Sequence, residues 1–173
     1  MIQFLLTSLN IKQMDLYNVL EKLRELNSNI PHISQGGCGV FAVTLYEQLI
    51  KLNSSFDVEL ILFTNSDEFS VNEAIYKAST ELDGDFTLDD INRHCVFFDH
   101  IIVKYGPYFI DNSGVYDSLD LLLRFWSWPN YMTIDYSIIK QISEYCDGWN
   151  DRFNRDYIPR LIDEIEDLAD YLI

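Results

Sequence analysis

His100–Gly114 reads HIIVKYGPYFIDNSG. A run of β-branched and aromatic residues ends at Tyr105, Gly106–Pro107 breaks it, and a second run, Tyr108 to Gly114, closes on another turn. This is the pattern of two strands joined by a tight turn. A connection that short makes the pair antiparallel, so the sheet it belongs to is predicted antiparallel. The first strand reaches back as CVFFDHIIVKY, Cys95 to Tyr105, with Cys95 as a packing residue within it. FDVELILFT, Phe56 to Thr64, has the length and composition of a further strand.

Helices surround these strands. Ile11 to Leu26 carries apolar residues at Leu16, Val19, Leu20, Leu23 and Leu26, which is amphipathic spacing. Cys38 to Leu52 is apolar on most sides and reads as a central, buried helix. Ser66 to Leu82 reads as a surface helix, followed by an acidic loop with a short helical turn. From Val115 onward the chain reads as helical, with a break at SWPN, a helix from Ile134 to Tyr145 and another from Arg155 to Ile173. Helices and strands in this order predict an α+β fold, a central helix on an antiparallel sheet with a helical C-terminal region. No repeat or linker divides the chain, so residues 1–173 read as one domain.

The helix beginning at Cys38 opens with SQGGCGVFAVTL, Ser34 to Leu45. A helix N-terminus favours a thiolate, and flanking glycines let backbone N–H groups approach a substrate. Cys38 is therefore the candidate nucleophile, with Gly37 and Gly39 expected to serve close approach. Cys146 sits near a helix end, where the dipole disfavours a thiolate. The candidate base is His100, at the head of its strand. A turn centred near residue 106 reflects His100 onto Asp111 or Asn112, so the hairpin supplies an orienting acceptor.

QGGCGVFA at a helix start, followed by HIIVKYGPYFIDNSG, resembles the papain-like (NlpC, transglutaminase-like) cysteine-enzyme superfamily from about Gln35 to Gly114. Its members use Cys on the first core helix, His on a following strand and a polar residue on the next. The resemblance implies a Cys38–His100–Asp111 triad acting as a thiol hydrolase or acyltransferase on a peptide, isopeptide or amide. It also implies Gln35 as an oxyanion donor, although in papain that glutamine lies further upstream of the cysteine. The C-terminal third lies outside the resemblance.

The chain carries 28 acidic and 12 basic residues, a formal charge of −16. Such a surface is repelled by nucleic acid and by anionic membranes, while a basic protein partner suits it. No apolar run is long enough to span a bilayer. The opening MIQFLLTSLNIKQMD lacks the basic and small-residue marks of a signal peptide. Three widely spaced cysteines without a CxxC pair fit a reducing cytosol. His94, Cys95 and His100 complete no metal site with other residues, so no metal or cofactor is expected. Trp126 and Trp128, with Pro129, read as capping the core or lining a groove, and the acidic runs at Asp83–Asp90 and Asp163–Asp170 as solvated surface. The rival to an enzyme is a non-catalytic acidic binding protein, such as a phage-encoded inhibitor or nucleic-acid mimic, with or without a papain-like scaffold.

Overall fold

Helix α1 (Leu16–Asn29) starts where Asp15 caps it, its Oδ1 accepting from the Asn18 N–H at 3.3 Å. That bond satisfies one of the amides a helix start leaves open. Val19, Leu23 and Leu26 recur at helical spacing and form its buried stripe. The computed structural model describes residues 15–52, 57–82, 86–119, 130–142 and 152–172. The predicted helix from Ile11 is thus described from Leu16, and it continues past Leu26 to Asn29.

Helix α2 (Cys38–Leu52) is buried on every side along Cys38 to Leu45. It packs against three strands of a five-stranded antiparallel sheet and two later helices. The strands are β1 (Val58–Thr64), β2 (Phe98–Tyr105), β3 (Tyr108–Asp111), β4 (Gly114–Tyr116) and β5 (Asn130–Ile134), in the order β4-β3-β2-β1-β5. The fold is mixed α+β with an antiparallel sheet. The hairpin turn falls at Gly106–Pro107, with Tyr105 paired to Tyr108 and Val103 to Ile110. Gly106 has φ +55, the left-handed conformation that glycine adopts without strain.

Alternation along the strands divides the sheet into two faces. Leu60, Leu62, Ile101, Val103 and Ile110 join α1, α2, α3 (Glu68–Glu81), α4 (Leu88–Asn92), α5 (Tyr136–Ile142) and α6 (Ile158–Ala169) in the main core. On the other face Ile61, Phe63 and Ile102 form a smaller cluster, with Phe109, Tyr116 and Leu119 against it. Phe63 is fully buried there, and burying such a side chain contributes about 2 kcal/mol.

Three sequence readings differ from the structure. Cys95 is not in the strand: it is exposed, in a turn with φ +61, and β2 begins at Phe98. Val115 and Tyr116 are not helical but belong to β4, because the tight turn at Asn112–Ser113 returns the chain along β3. Asn130 to Ile134 is an edge strand on β1, and the helix read as starting at Ile134 starts at Tyr136. The calls on Trp126, Trp128, Pro129 and Cys146 lie outside the described residues. No helix among the described residues is long and apolar enough to cross a membrane.

Candidate functional site

Between α1 and α2 the chain makes one wide turn, Ile33–Gly37, broken by non-helical backbone at Gln35 and by Gly36 at φ +111. That positive φ needs a glycine. Cys38 then enters α2 with ordinary helical angles. The turn is strapped from far along the chain: the Gln35 carbonyl accepts from the N–H groups of Arg152 (3.0 Å) and Phe153 (3.1 Å). Phe153 also packs on Gly37, where a Cβ would meet its ring carbons at 3.0 Å. Gly37 is thus small because an aromatic ring lies over it, a packing reason that the sequence reading did not consider.

His100 reaches its position through a β-bulge. Thr64 pairs with Phe98 and Phe63 with His100, so β2 spends one extra residue, Asp99, on that step. Without the bulge, Phe98 and His100 would share a face. With it, Phe98 turns into the main core while His100 turns to the face of Phe63 and Ile102. The Phe63 ring lies 6.3 Å from the imidazole, centroid to centroid.

The hairpin brings Asp111 to His100 diagonally. Continuing the register past Val103 and Ile110 sets Asp111 opposite Ile102, two residues along β2 from His100 and on the same face. The side chains close the gap: His100 Nε2 and Asp111 Oδ2 are 3.0 Å apart, both groups buried. Cys38 is also close enough to the ring for its side chain to count among the groups that raise the His100 pKa. Burial pushes the His100 pKa down, but the hydrogen bond to Asp111 and the influence of Cys38, with their charges, outweigh it and push it up to about 9. His100 is therefore bonded to Asp111 at the end of β3 and influenced by Cys38 at the start of α2.

Asp111 is held in turn. Its Oδ1 accepts from the N–H groups of Ser113 (2.7 Å) and Gly114 (3.0 Å) in the β3–β4 turn. Next door, Asn112 donates from Nδ2 to Asn27 Oδ1 at 2.9 Å, and its Oδ1 is buried with no partner among the described residues. Gln35, expected as an oxyanion donor, has its carbonyl committed to the 152–153 strap, and its Oε1 is likewise buried with no partner among the described residues. Asp99, beside His100, has a carboxyl pushed up by burial. Sequence reasoning missed Tyr116, whose phenol pKa is pushed up by burial and by the nearby Asp111 carboxylate. The signal was the DNSG turn, which could have returned the chain as a third antiparallel strand. Among the described residues, no three His, Cys, Asp or Glu side chains gather to hold a metal ion, and neither Cys38 nor Cys95 is in a disulfide.

No protein-family model, curated protein or solved structure matches this chain.

Proposed function

We propose that the chain is a thiol hydrolase or acyltransferase of papain-like design, with Cys38 as nucleophile, His100 as acid and base, and Asp111 as the group that orients the imidazole. The observation that carries this reading is the buried His100–Asp111 hydrogen bond, with Cys38 near the same imidazole at a helix start. An imidazole beside the thiol can take its proton as the sulfur attacks.

The step balances with these groups alone. The Cys38 sulfur bonds to the carbonyl carbon of an amide, and the carbonyl oxygen takes the electron pair. The Cys38 backbone N–H, and Gln35 if its side chain turns, donate to that oxyanion. The imidazolium then gives its proton to the leaving nitrogen as the carbon–nitrogen bond breaks. A thioester remains. Water or an amine attacks it, His100 takes the incoming proton, and the carbon–sulfur bond breaks to regenerate the thiol. A formal charge of −16 suits a basic protein as the source of that amide, and unpaired thiols suit a reducing compartment such as the cytosol.

The test is alkylation by iodoacetamide at pH 7, read peptide by peptide. Cys95 is exposed and unpaired, so it serves as the internal reference. Cys38 is expected to react faster than Cys95 despite its burial, and His100→Ala to slow Cys38 at least about tenfold while leaving Cys95 unchanged. A Cys38 no more reactive than Cys95 in both proteins overturns the enzyme reading and leaves the acidic binding protein.

A further inference from the structure

Asp111 receives more donors than the third member of a triad needs. Ser113 and Gly114 donate to Oδ1 and His100 meets Oδ2. A further polar group comes from β4, the hydroxyl of Tyr116, which lies beside Gly114 and is influenced by the Asp111 carboxylate. The strand register explains how it arrives. Asp111 pairs with Gly114 and Phe109 with Tyr116, so all four project from one face and Tyr116 is the diagonal neighbour of Asp111. Gly114 lies between them and carries no side chain. A Cβ there would stand 3.4 Å from both the hydroxyl oxygen and Cζ of Tyr116, so the space the tyrosine uses is the space a larger residue would take. A carboxylate offers about four lone-pair positions, and Ser113, Gly114 and His100 leave one of them for that hydroxyl.

We propose that Tyr116 is a positioning residue of the site: its hydroxyl occupies the last acceptor position of Asp111 and draws charge off the carboxylate that His100 binds. Burial first, then the nearby Asp111 carboxylate, push the Tyr116 pKa up to about 12, so the phenol keeps its proton at any working pH. Among the described residues, the groups facing His100 include Cys38 from α2, Asp111 from β3 and the uncharged Phe63 ring from β1, with Asp99 adjacent on β2. Tyr116 acts on His100 through Asp111, as the Ser113 and Gly114 amides do. The catalytic meaning of this assignment rests on the thiol-enzyme reading; the effect on His100 does not.

The experiment is an NMR titration of the ¹⁵N-labelled His100 ring in the full chain. Tyr116→Phe leaves Asp111 anchored by its two backbone donors but strips one donor from the carboxylate. The His100 pKa is then expected to rise by about half a unit to one unit. Incorporation of 3,5-difluorotyrosine at position 116 makes the phenol a stronger donor, and the same pKa is expected to fall. The second protein also decides the matter if Tyr116→Phe does not fold. A His100 pKa that stays put, or moves the opposite way, overturns the assignment. Iodoacetamide labelling of the unsubstituted protein separates the two proposals. An inert Cys38 with a His100 that responds to position 116 keeps Tyr116 and removes the enzyme. A reactive Cys38 with an unresponsive His100 does the reverse.

Discussion

At the scale of single residues, the His100 imidazole couples folding to pH. Its folded pKa, about 9, lies above the unfolded value of 6.5. The stabilisation this brings is complete below pH 6.5 and is lost as pH rises through 9. Relative to His100→Asn, the protein is expected to lose about 3 kcal/mol across that interval, measured by urea unfolding at a series of pH values. A difference that is flat from pH 6 to 10 contradicts the assignment. Asp111→Asn removes the largest raising influence and leaves burial in place, so the His100 pKa is expected to fall, again by NMR. Cys38, His100 and Asp111 were legible in the sequence because a hairpin makes the last two neighbours by local geometry and the glycines flag the first. Tyr116 was not legible, because its approach depends on a strand only three residues long, too short to carry a periodic signal.

At the scale of elements, the bulge in β2 sets where the imidazole points. Asp99 is the extra residue, so deleting it should leave Phe98 opposite Thr64 and His100 opposite Phe63. That deletion is expected to keep the fold, seen as an unchanged far-UV spectrum and a cooperative melt. Deleting Ile101 instead inverts the faces of β2 on one side of the gap, and is expected to unfold the chain. A second prediction concerns the turn before α2. Gly37→Ala presses a Cβ on the Phe153 ring and is expected to cost about 1–3 kcal/mol in urea unfolding. In a Phe153→Ala background the same change should cost less, by at least about 0.5 kcal/mol, since the ring it strikes is gone. Equal costs in both backgrounds contradict this account. The long elements α2 and β2 were legible because their apolar spacing spans many residues. The pairing of β5 was not, because an exposed edge strand with Asn130, Tyr131 and Thr133 lacks the apolar run of a buried one. Cys95 was misread because its left-handed turn has no glycine to announce it.

At the scale of the whole molecule, a net charge of −16 sets the response to salt. Ion pairs such as Lys22–Glu25 and Lys77–Glu73 are on the surface and weak, so screening is expected to relieve more repulsion than it loses in attraction. The melting temperature should therefore rise as sodium chloride is raised to about 0.5 M, by calorimetry. The acidic run on α6 is not uniform solvated surface. Glu164 accepts from Asn29 Nδ2 and Glu166 from Gln48 Nε2, each at 3.0 Å, tying α6 to α1 and α2. Asp163 and Asp167 are exposed, with no bond of that kind among the described residues. Replacing Asp163 and Asp167 with Asn relieves repulsion without breaking such a bond, and is expected to raise stability slightly and leave Cys38 labelling unchanged. Replacing Glu164 and Glu166 with Ala should lower stability by about 1 kcal/mol.

The strap on Gln35 bears on synthesis. A ribosome delivers Gln35 and Cys38 long before Arg152 and Phe153, and the two backbone bonds that close the turn cannot form until the later segment emerges. A nascent chain thus carries its thiol through the synthesis of more than a hundred further residues with the turn before it still unfastened. The order in which the polypeptide is made works as a timer: the surroundings of Cys38 are completed only after the hairpin that holds His100 and Asp111 has been made.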